Sequence, residues 1–187
     1  MMNRNSFYLS FIGILAVCFA SFFLCSCGSR AQKTFEEGKF AYETGDYPTA
    51  VKCFYEAAQK DHAEAQFYLG RCYMHGDGVK KSEVDAAKWY RKASDNGVSE
   101  ATYNLATMLY MSDSGYMAPE GVRMLKQAAA QDNLHAYSML GLLYASGNAG
   151  TEPRNAAEAR RCFEKVIEMG DEDVKAAART YMDALFL

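Results

Sequence analysis

The amino-acid sequence predicts an all-α fold, an α/α solenoid of about four helical hairpins followed by a C-terminal capping helix. The first observation is a pattern of alanine, leucine and a small residue that recurs about every 36 residues, at 65–70, 101–106 and 136–141. The second is a parallel series of small residues at Ala50, Ala86, Gly121 and Ala159. The third is the scarcity of proline, with 3 among 187 residues, which permits long helices. Such a period is typical of stacked hairpins, because one hairpin cannot bury its apolar stripe alone.

Each unit is predicted to contain a helix A, a turn and a helix B. In the second unit, helix A should run from about Ala63 to His75. The glycines of Gly76–Asp77–Gly78 then supply the left-handed backbone that the end of a helix requires. Ser82 to Asp85 has the pattern of a capping box and should start helix B, which runs to about Asp95.

The third and fourth units depart from this pattern at their turns. The third unit, Ser99 to Asn133, has Met111–Gly115 where the Gly-x-Gly turn is expected, so the sequence leaves its turn geometry open. The fourth unit, Leu134 to Asp171, has a turn about two residues longer, and Asn155 with Glu158 repeats the cap pattern before its helix B.

The two ends of the repeat region also differ from its middle. The first unit, Thr34 to Asp61, has a shorter turn, and Asp171 to Leu187 is predicted to form one more helix A as a terminal cap. Large side chains at helical spacing should fill the space between hairpins. These are Leu69, Tyr73, Trp89 and Tyr90, of which Trp89 is expected to be largely buried.

The residues of the second unit carry a family resemblance. Ala63 to Val79, followed by Asp85 to Ala93, resembles a Sel1-like repeat, and the first unit resembles a tetratricopeptide repeat through Gly45–Asp46–Tyr47 and Phe54. Together the similar units span about 150 residues. The resemblance implies a right-handed superhelix that binds proteins or peptides.

The N-terminus has the layout of an export signal. Arg4 precedes an apolar run from Phe7 to Leu24, which ends at small residues around Ser26. An uncleaved transmembrane anchor and simple secretion are the alternatives. Leu24–Cys25–Ser26–Cys27 resembles a bacterial lipobox, which implies cleavage before Cys27 and acylation of that cysteine.

This interpretation divides the chain into a signal peptide (1–26), a lipidated Cys27 with a short tether (27–33) and a repeat domain (34–187). It predicts a membrane-anchored lipoprotein of the bacterial cell envelope. Gly28 differs from the aspartate that retains many lipoproteins in the inner membrane, so the outer membrane is expected if the cell is Gram-negative.

No pattern of catalytic residues stands out. The sequence lacks G-x-S-x-G, H-E-x-x-H and phosphate-loop motifs, so we predict that the protein is not an enzyme and needs no cofactor. His62, His75 and His135 lack partners at metal-ligand spacing, which argues against a metal site. The net charge of −3 and the absence of a basic block argue against nucleic acid as a partner.

Three cysteines remain in the repeat domain. Cys53 and Cys162 fall at the helix B position of Trp89, so core packing is expected for them. Cys53 and Cys72 lie on adjacent helices, and a disulfide between them is the alternative in an oxidising compartment.

The resemblance to tetratricopeptide-like solenoids implies a concave groove lined by helix A. With Gly70 as the register mark, the first and second units contribute Phe35, Lys39, Tyr42, Phe67, Arg71 and Met74. The later units contribute Tyr103, Thr107, Tyr110, Ser138 and Leu142. Aromatic rings beside basic side chains are typical of peptide-binding surfaces.

The leading hypothesis is therefore an envelope adaptor that binds a protein or peptide in this groove. A structural or assembly factor with an exposed apolar end at Ala184–Leu187 is the second hypothesis, and a cell-wall-modifying enzyme is the third.

Overall fold

The computed structural model describes residues 30–111, 116–147 and 154–186, so the predicted signal peptide and Cys27 lie outside the described residues. Its helices are α1 (30–43), α2 (Tyr47–Ala58), α3 (Ala63–His75), α4 (Glu83–Asp95), α5 (Ser99–Met108), α6 (Pro119–Ala129), α7 (Leu134–Ser146), α8 (Ala156–Met169) and α9 (Glu172–Phe186). Helices α1, α3, α5, α7 and α9 are the A helices. The predicted all-α helical-repeat class is confirmed.

The chain divides into two compact units, one up to Lys81 and one from Ser82 onward. In the first unit, Phe54 of α2 is fully buried and lies against α1. A Cβ atom at Gly38 would stand 2.8 Å from two ring carbons of Phe54. Glycine at this position therefore allows α1 and α2 to approach closely. Helix α1 already includes residues 30–33, which the sequence assigned to the tether, and Ala31 is buried.

The turn after α3 forms as the sequence predicts. Gly76 has a left-handed backbone with φ of 85° and donates its N–H to the carbonyl of Cys72 at 2.8 Å. Gly78 has φ of 71°, and a Cβ atom there would stand 2.6 Å from the backbone of Tyr47. Both glycines are thus required, the first by the end of the helix and the second also by a close backbone approach.

In the second unit, consecutive helices from α4 to α9 pack on one another. Ser82 caps α4 by accepting the N–H of Asp85 at 3.2 Å, and Asn155 caps α8 by accepting the N–H of Glu158 at 3.2 Å. Both predicted caps are confirmed. Gly141 repeats the role of Gly38, because a Cβ atom there would stand 2.8 Å from the ring of Phe163.

The sequence left the turn of the third repeat undecided. In the structure, a short antiparallel pair of strands flanks it, β1 (Tyr110–Met111) and β2 (Tyr116–Met117). Tyr110 is paired with Met117. Met117 is fully buried, so an apolar side chain holds this turn to the helices where the second repeat uses two glycines.

One core prediction is wrong. Trp89 is half-buried, with the Nζ atom of Lys92 at 4.3 Å from its ring centroid. The next residue, Tyr90, is 1% exposed and occupies the core position instead. Tyr73 is also only half-buried. A step of one residue turns a helix by about 100°, so only one of the two adjacent rings can face inward.

Candidate functional site

In the first unit, three aromatic rings surround Arg71 on α3. The guanidinium carbon lies 5.5 Å from the ring centroid of Tyr68, 5.6 Å from that of Tyr42 and 6.0 Å from that of Phe67. All four side chains are half-buried. We call these four residues the Arg71 cluster. A cation within about 6 Å of an aromatic ring is attracted by the ring quadrupole, so three rings together restrain the guanidinium.

The turn after α3 fixes one side of this cluster. The hydroxyl of Tyr42, on α1, donates to the Oδ2 atom of Asp77 at 2.7 Å. Burial, followed by this hydrogen bond, raises the pKa of Tyr42 to about 12. The hydroxyl therefore keeps its proton to a more alkaline pH than an ordinary tyrosine does. The left-handed backbone at Gly76 thus has a consequence for the site, since it directs the chain that carries Asp77.

The guanidinium of Arg71 has no protein acceptor within the described ranges. No hydrogen bond from it to another described residue is present, and no described carboxylate lies within ion-pair distance. Asp77 instead accepts from Tyr42. Because Arg71 is partly exposed, its N–H groups are free to bind an acceptor from solution.

The other residues predicted for the first two repeats have different surroundings. Phe35 is 1% exposed, so its assignment to the groove is wrong. Its ring stacks on His62 at 4.6 Å and packs against Phe54 and Tyr68, which places it in the core. Lys39 is half-buried, with its Nζ atom 5.8 Å from the Phe35 centroid, and Met74 is also half-buried.

In the second unit, the predicted residues of the third repeat lie on α5 and β1. Tyr103 is half-buried, lies 5.6 Å from the ring of His135, and has its pKa raised by burial. Thr107 is half-buried and donates its hydroxyl to the carbonyl of Asn104 at 2.8 Å. Tyr110 is 37% exposed, so its ring is accessible.

Ser138 and Leu142 line a cavity of about 230 Å³ within the second unit. Its other walls come from α8 and α9 and include Phe163, Val174 and Tyr181. Tyr181 is half exposed and stacks on Phe163 at 5.8 Å with an interplanar angle of 7°. The contribution of α9 was missed because this helix was interpreted only as a cap.

The sequence interpretation also missed Tyr68. Tyr68 lies three residues before Arg71, which is a spacing that places two side chains together on a helix. That spacing is the signal that could have identified it. Phe67, four residues before Arg71, was selected instead, although both rings lie in the cluster.

The cysteines of the repeat domain are free thiols, so the alternative of a disulfide between Cys53 and Cys72 is not realised. Cys72 is buried, and burial raises its pKa to about 12. Cys162 is buried as expected, whereas Cys53 is half-buried. In the parts of the chain that the structure describes, no group of three His, Cys, Asp or Glu side chains is arranged to hold a metal ion. No helix among the described residues is long and apolar enough to span a membrane.

Repeated helical hairpins with small residues at their contacts define the class of the protein as a helical-repeat protein. The Sel1 repeat model matches residues 33–62, 63–98, 99–133 and 134–171, so the chain belongs to the Sel1 repeat family. The third and fourth matches coincide with the predicted units. The first begins at residue 33, one residue before its predicted start, and the second ends at residue 98.

Solved structures show the same fold. A Sel1 repeat protein from Oxalobacter formigenes is 29% identical with a TM-score of 0.70, over 81% of this chain and 60% of that one. A protective antigen of uropathogenic Escherichia coli is 27% identical with a TM-score of 0.69, over 87% of this chain and 37% of that one.

Curated relatives are longer than this chain. A mouse protein named DAP3-binding cell death enhancer 1 is 28% identical over 74% of this chain and 34% of its own length. An exopolysaccharide production negative regulator of Rhizobium meliloti is 34% identical over 34% of this chain and 24% of its own length. The chain thus spans about a third or less of these relatives. Sel1 repeat proteins generally mediate protein–protein interaction, and their fold is typically a non-enzymatic scaffold.

Proposed function

We propose that this protein is a non-enzymatic adaptor of the bacterial cell envelope, which binds a peptide or protein segment on the A helices of its first unit, α1 and α3. The observation that carries the proposal is the Arg71 cluster. In this cluster, three aromatic rings surround the half-buried guanidinium of Arg71, which lacks a protein acceptor among the described residues. Arginine and tyrosine are enriched among the residues that dominate protein interfaces.

The family scaffold supports this assignment of roles. Buried residues such as Phe54, Leu69 and Tyr90 hold the helices together. The side chains of the Arg71 cluster are only half-buried, although they are large enough to fill core space. Rigid aromatic side chains on packed helices lose little conformational entropy when a partner binds, which favours affinity.

The envelope assignment rests on the sequence. Leu24–Cys25–Ser26–Cys27 resembles a lipobox, and the apolar run before it has the length of an export signal or an anchor. Acylation at Cys27 would attach the repeat domain to a membrane through a short tether, since α1 is already helical at residue 30. The adaptor would then hold its partner close to that membrane.

The anchor is tested by Cys27→Ser. We expect this change to abolish incorporation of labelled palmitate and processing of the signal peptide, because the lipid acceptor is lost. Cys25→Ser is the matched control and should leave both unchanged. Palmitate that is still incorporated in the Cys27→Ser variant would contradict the lipoprotein assignment.

The binding face is tested by photo-crosslinking in cells. A benzophenone amino acid replaces Met74 on helix A of the second repeat, or Tyr55 on helix B of the first, where the native side chain is 48% exposed. We expect discrete crosslinked products from position 74 and none from position 55. Equal crosslinking at both positions would show that contact does not depend on the A helices, and the proposal would be wrong.

A further inference from the structure

We infer that the Arg71 cluster recognises a carboxylate of the bound segment, with an apolar group next to it. This inference rests on the proposed function and names the chemistry of that same surface. The carboxylate belongs either to the C-terminus of the partner or to an acidic side chain. Both sources present the same planar pair of oxygens.

The guanidinium of Arg71 is restrained by its neighbours. Rings from two helices, α1 and α3, lie within 6.0 Å of the guanidinium carbon of Arg71. A long side chain that is already held loses less entropy when it binds a ligand. A guanidinium also presents its N–H groups in a rigid planar fork. The cluster therefore offers a donor set that is largely arranged before a ligand arrives.

The nearby carboxylate of Asp77 is bonded to another residue. Asp77 accepts the hydroxyl of Tyr42 at 2.7 Å and is not within ion-pair distance of Arg71. Two other arginines behave differently. Arg91 lies 3.7 Å from Glu120, and Arg161 lies 2.7 Å from Glu158. Arg71 differs from both because it is surrounded by rings and has no carboxylate partner among the described residues.

The shape and charge of the cluster favour one class of ligand. A single guanidinium fork matches the two oxygens of a carboxylate in a bidentate pair. A polyanion such as nucleic acid needs several cations, and the chain carries a net charge of −3. The rings of Tyr42, Phe67 and Tyr68 supply apolar contact beside the fork. A carboxylate attached to an apolar residue therefore fits the cluster better than an isolated anion.

The experiment uses the full-length chain in detergent micelles, labelled with ¹⁵N-arginine, and follows the side-chain Nε–H resonances by NMR. The probes are N-acetylphenylalanine, its neutral amide, and the α-amide of N-acetylaspartate. We expect at least one of the two acids to shift the Arg71 resonance in a saturable manner, while Arg91 and Arg161 move at least fivefold less. The neutral amide should produce no shift. The stronger acid identifies the C-terminal or the side-chain source.

The control variants are Arg71→Lys and Arg91→Lys, followed through the backbone amides of α3. Lysine keeps the charge and the aliphatic stem but lacks the fork. We expect Arg71→Lys to weaken acid binding at least fivefold with an unchanged melting temperature, and Arg91→Lys to leave binding unchanged. If the neutral amide binds as well as the acids, or if all arginines shift equally, the inference is wrong. The proposed function fails separately, if position 74 yields no specific crosslink.

Discussion

The A helices of the two units share a repeat pattern but carry surfaces of different chemistry. In the first unit, α1 and α3 present the Arg71 cluster, which is cationic and aromatic. In the second unit, α7 and α9 line an apolar cavity of about 230 Å³ beside Ser138 and Leu142. The two units share one contact between their helices, because each packs a glycine of helix A against a phenylalanine of helix B. The scaffold positions are thus fixed by packing, while the exposed positions are free to specify a ligand.

The largest expected effect tests the shared scaffold. Phe54→Ala in the first unit and Phe163→Ala in the second remove rings that are at most 2% exposed and that touch Gly38 and Gly141. Each change should cost about 3–5 kcal/mol of unfolding free energy, as truncation of a buried ring does. Urea denaturation measures both. A loss in only one unit would show that the two glycine–phenylalanine contacts are not equivalent.

Trp89→Ala provides the internal comparison for these two variants. Its ring was expected to be buried but is half-buried, so part of its apolar surface already contacts water in the folded protein. We expect it to cost less than half as much as Phe54→Ala. A loss of stability equal to that of Phe54→Ala would contradict the half-buried position of Trp89.

A smaller effect tests the hydrogen bond between Tyr42 of the Arg71 cluster and Asp77. Tyr42→Phe keeps the ring but removes the hydroxyl that donates to Asp77, at a cost of about 1 kcal/mol. The change should also alter how the stability of the protein depends on pH in the alkaline range. Folding raises the pKa of Tyr42 from 10.0 to about 12. The contribution of the protonated hydroxyl to the free energy of unfolding is therefore complete below pH 10, and it is lost as the pH rises towards 12.

Urea denaturation between pH 8 and pH 12 measures this contribution. We expect the stability of the wild-type protein to fall more steeply above pH 10 than that of Tyr42→Phe. Tyr103→Phe is the matched control, since burial alone raises the pKa of Tyr103. A change in slope for Tyr42→Phe no larger than that for Tyr103→Phe would contradict the role given to the bond with Asp77.

Local signals in the sequence predicted much of the fold. The ends of α3 at Ala63 and His75 and the cap at Ser82 follow from helical periodicity and from residue types that act within a few positions. The burial of Phe35 was not predictable in this way. It depends on His62, which both caps α3 and covers the ring, so the contact joins two distant segments.

The candidate site was predicted only in part. Arg71, Tyr42 and Phe67 were selected from the helix A register, and the structure brings them together. The bond between Tyr42 and Asp77 was not predicted, because it links helix A of the first repeat to the turn of the second. Register alone gives the face of a helix, whereas such bonds depend on how neighbouring repeats pack.

We propose that the exposed side chains of the A helices bind the partner while the packed side chains hold the fold. The most direct test measures partner affinity in the double variant Arg71→Ala with Tyr103→Ala, against a control that changes Tyr55 and Arg91 on B helices to alanine. We expect the first variant to lose at least tenfold in affinity, about 1.4 kcal/mol, while it keeps its helical spectrum and a cooperative melting transition. The control should lose less than twofold. Full affinity in a folded Arg71 and Tyr103 variant would contradict the account.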